Sequence, residues 1–184
     1  SLVDMVSFGA APALIVYEWA LRDMGRVGWI AAFVYCAGAA LRLARFNVQL
    51  SVADKRWFQG LPSPAAAALV AGMIWVFKDY QVRGGDVKWF AAAVTVYAGI
   101  TMVSNAKFYS GKDINLRRAM PFSMAILFVV ALLLISLEPA MVLWGLMLAY
   151  GISGYVMWLV QRWRREAQEK KYGNIREAIE EGNL

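Results

Sequence analysis

The sequence predicts an all-α, polytopic transmembrane helix bundle, and three observations predict it. Hydrophobic residues make up 60% of the 184 and charged residues only 17%, with a mean hydropathy of +0.49; soluble domains carry roughly a quarter charged residues. The charges cluster and leave six apolar runs, each close to the about 20 residues a helix needs to cross a bilayer. Trp19, Trp29, Trp57, Trp75, Trp89 and Trp163 stand near the ends of these runs, where amphipathic rings sit at the headgroups. A soluble helical domain does not account for six such runs.

The expected spans are 5–21, 27–46, 61–77, 87–104, 119–137 and 139–160, so that 1–160 forms one transmembrane domain and 161–184 a charged cytoplasmic tail. The first span is interrupted by Gly9 and Pro12, which a membrane helix tolerates when a neighbour satisfies the carbonyl that proline leaves free. Gly9, Ala10, Ala11 and Ala13 would let another helix approach closely. The second span carries Gly38, Ala39 and Ala40 and then Arg42 and Arg45, whose spacing of three puts both on one helical face. The next loop ends in Gly60-Leu61-Pro62-Ser63-Pro64, with Ser63 a natural N-cap and Pro64 a natural first helical residue. The third span is Ala-rich, which favours tight packing. Spans four to six are Leu, Val, Ile and Met, with a short turn at Glu138-Pro139. The tail has six basic and five acidic residues and reads as a surface helix or a frayed end. The sequence opens on Ser1 in mid-pattern, so the expectation is an N-terminally truncated chain.

The net charge of +6 has a topological explanation that needs no nucleic acid. With loops numbered alternately, fourteen of the 19 basic residues fall on one side: Arg42, Arg45, Lys55, Arg56, Lys107, Lys112, Arg117, Arg118, Arg162, Arg164, Arg165, Lys170, Lys171 and Arg176. Arg22, Arg26, Lys78, Arg83 and Lys88 fall on the other. The positive-inside rule puts the larger group in the cytoplasm. Asp4, the 45–62 loop, the 105–118 loop and the tail are therefore expected on the cytoplasmic face of the inner membrane, with anionic lipid as a secondary contact.

Histidine is absent and Cys36 is the single cysteine, so this sequence offers no imidazole base, no Ser-His triad and no zinc site. Any metal would sit among carboxylate oxygens, which suits Mg²⁺, Mn²⁺ or Ca²⁺. Asp4 lies at the lip of an apolar run whose next acid is Glu18. A carboxylate there needs a cation, a partner or water; a helix-capping role is the plainer reading. Arg42 and Arg45, one hairpin away, would suit a phosphate or pyrophosphate, because guanidinium offers planar multidentate donors. Their plainer reading is as snorkelling anchors.

These residues resemble the CDP-alcohol phosphatidyltransferase family, in its bacterial serine-using branch. The family signature is D-x2-D-G-x2-A-R-x8-G-x3-D-x3-D, commonly continued as a Val-Ser-Phe-Gly run. Ser1-Leu2-Val3-Asp4-Met5-Val6-Ser7-Phe8-Gly9 places Asp4 at the fourth aspartate. Ala10-Ala11-Pro12-Ala13, Leu43-Ala44-Arg45-Phe46-Asn47 and Phe58-Gln59-Gly60-Leu61-Pro62-Ser63-Pro64-Ala65-Ala66-Ala67 also match the serine branch. The likeness is close over roughly the first 75 residues and rests on hydropathy beyond them.

The resemblance implies transfer of the phosphatidyl group from CDP-diacylglycerol to the hydroxyl of L-serine, giving phosphatidylserine and CMP. It implies Asp4 as catalytic base and metal contact. Arg42, Arg45, Asn47, Ser7, Gly60, Pro62 and Ser63 are the substrate-binding candidates, the turn residues serving equally as a plain helix start. It further implies a divalent cation (Mg²⁺ or Mn²⁺), held mostly by three aspartates that would precede Ser1. About two more upstream helices, a homodimer and a membrane-lipid setting are also implied, and the present segment alone is expected to be inactive. The rival readings are a sister enzyme using glycerol phosphate, inositol phosphate or choline, a transporter, and a membrane scaffold.

Overall fold

A computed structural model describes residues 2–49, 57–109 and 122–180. The expected cations Lys55, Arg56, Lys112, Arg117 and Arg118, and Ser1 itself, lie outside the described residues. The chain is a helical bundle. Its N-terminal span comprises α1 (Leu2–Met5), a π-helical turn (Val6–Ala10), α2 (Ala11–Val16), a second π turn (Tyr17–Leu21) and a 3₁₀ turn (Arg22–Met24). There follow α3 (Arg26–Gln49), α4 (Ser63–Asp79), α5 (Lys88–Val103), α6 (Phe122–Leu137) and α7 (Pro139–Glu180). A short antiparallel ladder joins β1 (Trp57–Gln59) to β2 (Lys107–Tyr109), with Phe58 opposite Phe108.

The described residues thus form six helical segments where six spans were expected, but six spans do not follow. Among the described residues, four helices are long and apolar enough to cross a membrane: Leu2–Met24, Arg26–Val48, Gly84–Val103 and Pro139–Met157. At 17 and 16 residues, α4 and α6 are about 24–26 Å long, short of a hydrocarbon core of about 30 Å. The boundary expected at residue 160 falls inside one helix. Helix α7 continues unbroken for 42 residues, about 63 Å at 1.5 Å per residue. Residues 161–171 are almost all Gln, Arg, Glu, Ala and Lys, strong helix formers that give the chain no reason to stop.

The packing is that of a membrane bundle, with small residues inside and large ones outside. The buried set is rich in alanine: Ala13, Ala20, Ala31, Ala39, Ala66, Ala91 and Ala98, around Tyr35, Leu69, Met73 and Met102. Leu14, Ile15, Phe33, Ile100, Leu127 and Leu133 point outward and are more than half exposed. Lipid tails are as apolar as leucine, so burying leucine gains little there, while small faces let backbones close up. The buried threonine hydroxyls bond within the helix: Thr95 donates to the Ala91 carbonyl at 2.7 Å, and Thr101 to that of Tyr97 at 2.6 Å.

α3 crosses α5 at close range. A Cβ on Gly38 would lie 2.4 Å from the Gly99 carbonyl oxygen, and one on Gly99 would lie 2.8 Å from the Tyr35 Cα. Both neighbours are backbone, so neither can swing away. α4 packs on α7 and α5, and α6 packs on α7. Gly38→Ala is expected to force α3 and α5 apart and destabilise the protein by about 1–3 kcal/mol. Gly145→Ala, with no atom within 4 Å of its added Cβ, is the control. The check is the thermal midpoint of each variant in detergent, with Gly38→Ala lowered and Gly145→Ala unmoved.

Candidate active site

The N-terminal span and α3 form an antiparallel pair, and their register sets the depth of the candidate residues. A Cβ on Gly9 would lie 3.0 Å from the Ala39 Cβ, and the Tyr35 hydroxyl donates to the Phe8 carbonyl at 2.8 Å. Asp4 lies five residues before Gly9, about 7.5 Å along the axis. That brings it level with about residue 44 of α3, between Arg42 and Arg45. The ladder of β1 with β2 and the start of α4 lie at this same end of α3. Asp4, the arginines and the Gly60–Pro64 turn therefore share one end of the bundle, as their placement in the chain predicts.

Arg42 is drawn inward. Its Nη1 donates to the Ser63 Oγ at 3.0 Å, and Tyr150 of α7 interacts with it electrostatically. Three helices, α3, α4 and α7, converge on this guanidinium. Its Nε is buried and has no hydrogen-bond partner in the structure. Since a buried polar group is ordinarily paired, a donor left over beside a membrane mouth fits an anionic oxygen supplied by a ligand.

Arg45 is tied to the end of α5. Its Nη1 donates to the Val103 carbonyl and to the Asn105 Oδ1, both at 3.1 Å. Carbonyls in the last turn of a helix lack intrahelical donors, and Arg45 supplies one to α5. It braces the bundle, and the sequence reading missed Asn105 because its partner stands 60 residues away.

Ser63 corrects the capping expectation. Pro62, extended at φ −55° and ψ 137°, is the N-cap, and its carbonyl accepts the Ala66 amide at 2.9 Å. Ser63 is the first helical residue and makes no capping bond; its hydroxyl is taken up by Arg42. Gly60 holds φ +76°, a left-handed conformation open to glycine. Its amide donates to the Ala106 carbonyl at 2.9 Å, and the next amide, of Leu61, donates to that of Thr101 at 3.1 Å. The turn is thereby fastened to the end of α5. Asp4, Ser7 and Asn47 are exposed at the mouth, and the structure brings none of them into the Arg42–Ser63 contact. Tyr150 is the residue that sequence reasoning missed altogether: no spacing rule links it to Arg42.

A carboxylate oxygen is the right donor type for a hard dication, but Asp4 is one carboxylate. Among the described residues no cluster of three or more His, Cys, Asp or Glu side chains could hold a metal ion. The described residues do not by themselves make a dication site.

No family model matches the chain. The chain is 32% identical over 161 residues to the CDP-diacylglycerol–serine O-phosphatidyltransferase of Helicobacter pylori, covering 88% of this chain and 68% of that protein. The enzyme of that name from Mycobacterium leprae is 28% identical over 159 residues, covering 82% of this chain and 51% of its own. The one from Methanocaldococcus jannaschii is 33% identical over 108 residues, covering 59% and 46%.

Arg45→Ala is expected to cost about 1–2 kcal/mol, the worth of its hydrogen bonds, and to unpin the end of α5. Hydrogen exchange in detergent should show faster exchange at residues 103–106, and unchanged exchange there would contradict the bracing role.

Proposed function

The chain belongs to the CDP-diacylglycerol–serine O-phosphatidyltransferase family, a family of transferases, and from that premise we propose that its protein moves the phosphatidyl group of CDP-diacylglycerol onto L-serine. The serine Oγ forms a bond to the phosphorus that carries diacylglycerol, the bond from that phosphorus to CMP breaks, and the serine proton passes to Asp4. Phosphatidylserine and CMP result. The observation that carries the reading is the Arg42 guanidinium, with a buried Nε unspent, at the end of the bundle where Asp4 lies. An anionic substrate, whether pyrophosphate or the serine carboxylate, has the chemistry to take that donor.

With no histidine in the sequence, a carboxylate is the natural base, and positioned bases contribute about 10²–10⁴-fold. Ser7, Asn47 and the Gly60–Ser63 turn line the mouth and are the proposed walls of the pocket. The reading keeps Mg²⁺ or Mn²⁺ as a requirement and derives no step from it. A membrane bundle suits such a substrate, since the acyl chains stay in the bilayer while serine arrives from water. The reading puts this mouth on the cytoplasmic face of the inner membrane, in a homodimer.

The test is the full-length protein in mixed micelles with CDP-diacylglycerol and L-serine, with and without Mn²⁺ or Mg²⁺. Glycerol phosphate, inositol phosphate and choline serve as competing alcohols. Phosphatidylserine and CMP should form in equal amounts, and only with the metal present. Asp4→Asn should lower turnover by about 10²–10⁴-fold at an unchanged thermal midpoint. Wild-type turnover in that variant would remove Asp4 from the chemistry, and preference for another alcohol would overturn the acceptor.

A further inference from the structure

The turn that joins Asp4 to the rest of the bundle is irregular, and its irregularity has a named support. Pro12 has no amide hydrogen, so the carbonyl four residues before it, that of Phe8, loses its α-helical donor. At membrane depth no water replaces it, and an unsatisfied carbonyl there is costly. Tyr35, a fully buried side chain of α3, donates its hydroxyl to that carbonyl at 2.8 Å. Around the same carbonyl the helix is π-helical, over Val6–Ala10.

A π turn holds one more residue than an α turn, so it rotates whatever precedes it by about 100° relative to a straight α-helix. Asp4 stands two residues before it. The direction in which Asp4 leaves the bundle therefore depends on whether this turn is wide or regular. The backbone at Tyr35 is packed close to α5: a Cβ on Gly99 would lie 2.8 Å from the Tyr35 Cα. Gly9, inside the π turn, is buried against Ala39 on the same helix face as Tyr35.

We propose that Tyr35 is a positioning residue for the transfer reaction: by holding the Phe8 carbonyl it keeps the π turn open and so aims the Asp4 carboxylate at the mouth. It touches neither substrate nor the reacting atoms. The inference rests on the reading of Asp4 as the base.

The experiment uses the full-length protein, assayed well below its unfolding temperature, with Tyr35→Phe, Pro12→Ala, their combination and Asp4→Asn. Tyr35→Phe removes one hydroxyl; kcat should fall at least 10-fold while KM for serine and for CDP-diacylglycerol stays within about 2-fold, and the thermal midpoint should drop. Pro12→Ala returns an amide to the Phe8 carbonyl and lets the turn close as α. Its midpoint should equal or exceed that of the wild type, with kcat again reduced. The double variant should regain the midpoint lost in Tyr35→Phe without regaining kcat. Recovery of kcat together with the midpoint would overturn the proposal, since it would make Tyr35 a purely structural partner. Unchanged kcat in Tyr35→Phe would overturn it too. If Asp4→Asn loses turnover while Tyr35→Phe does not, only the positioning role fails. If Asp4→Asn keeps turnover, the reading of Asp4 fails and the positioning role with it.

Discussion

The structure depends on α3 meeting its neighbours backbone to backbone. In lipid no hydrophobic gain distinguishes helix from solvent, so association rests on close packing and on polar groups finding partners within the protein. α3 offers glycine or alanine on two sides: Gly38 under Gly99 of α5, and Ala39 beside Gly9 of the N-terminal span. These approaches fix the depth of three helices together. Everything at the polar end, including the placement of Asp4 relative to Arg42 and Arg45, is a consequence of that register.

The two arginines show how one repeated residue type divides its work. Arg45 spends its donors on the end of α5 and holds the bundle closed at its mouth. Arg42, one turn deeper, gathers Ser63 and Tyr150 and keeps a donor in reserve. In the proposed reaction the first keeps the pocket's wall in place and the second meets the anion. Replacing either by lysine would keep the charge and lose the fork of donors on which both roles rest.

Much of the fold was legible because its causes are local. Apolar runs separated by charges mark helical segments, and a proline inside a span announces a freed carbonyl; that of Phe8 is met by Tyr35. What was not legible was set by contacts distant in sequence or by the absence of a stop signal. Ser63 has the chemistry of a cap, but an arginine 21 residues earlier takes its hydroxyl, and Pro62 takes the cap position. The partners of Arg45, Val103 and Asn105, lie beyond the reach of any spacing rule. The π turns also left no mark: Pro12 predicts a gap in the ladder of hydrogen bonds and is silent on whether the helix widens or kinks. Charge changes at residue 161 and marks a tail, whereas helix propensity does not change there, and α7 runs on to Glu180.

The central claim is that Asp4 and the arginine mouth occupy one membrane face, the cytoplasmic one, with the α4–α5 connection on the other. Replacing Cys36 by alanine and placing single cysteines at Val3, Asn105 or Gly85 of the full-length protein allows a direct reading with a membrane-impermeant maleimide. In intact cells only the cysteine at position 85 should react, and those at 3 and 105 should react once the membrane is opened. Reaction at position 3 from outside, or at 3 and 85 from the same side, would contradict the account.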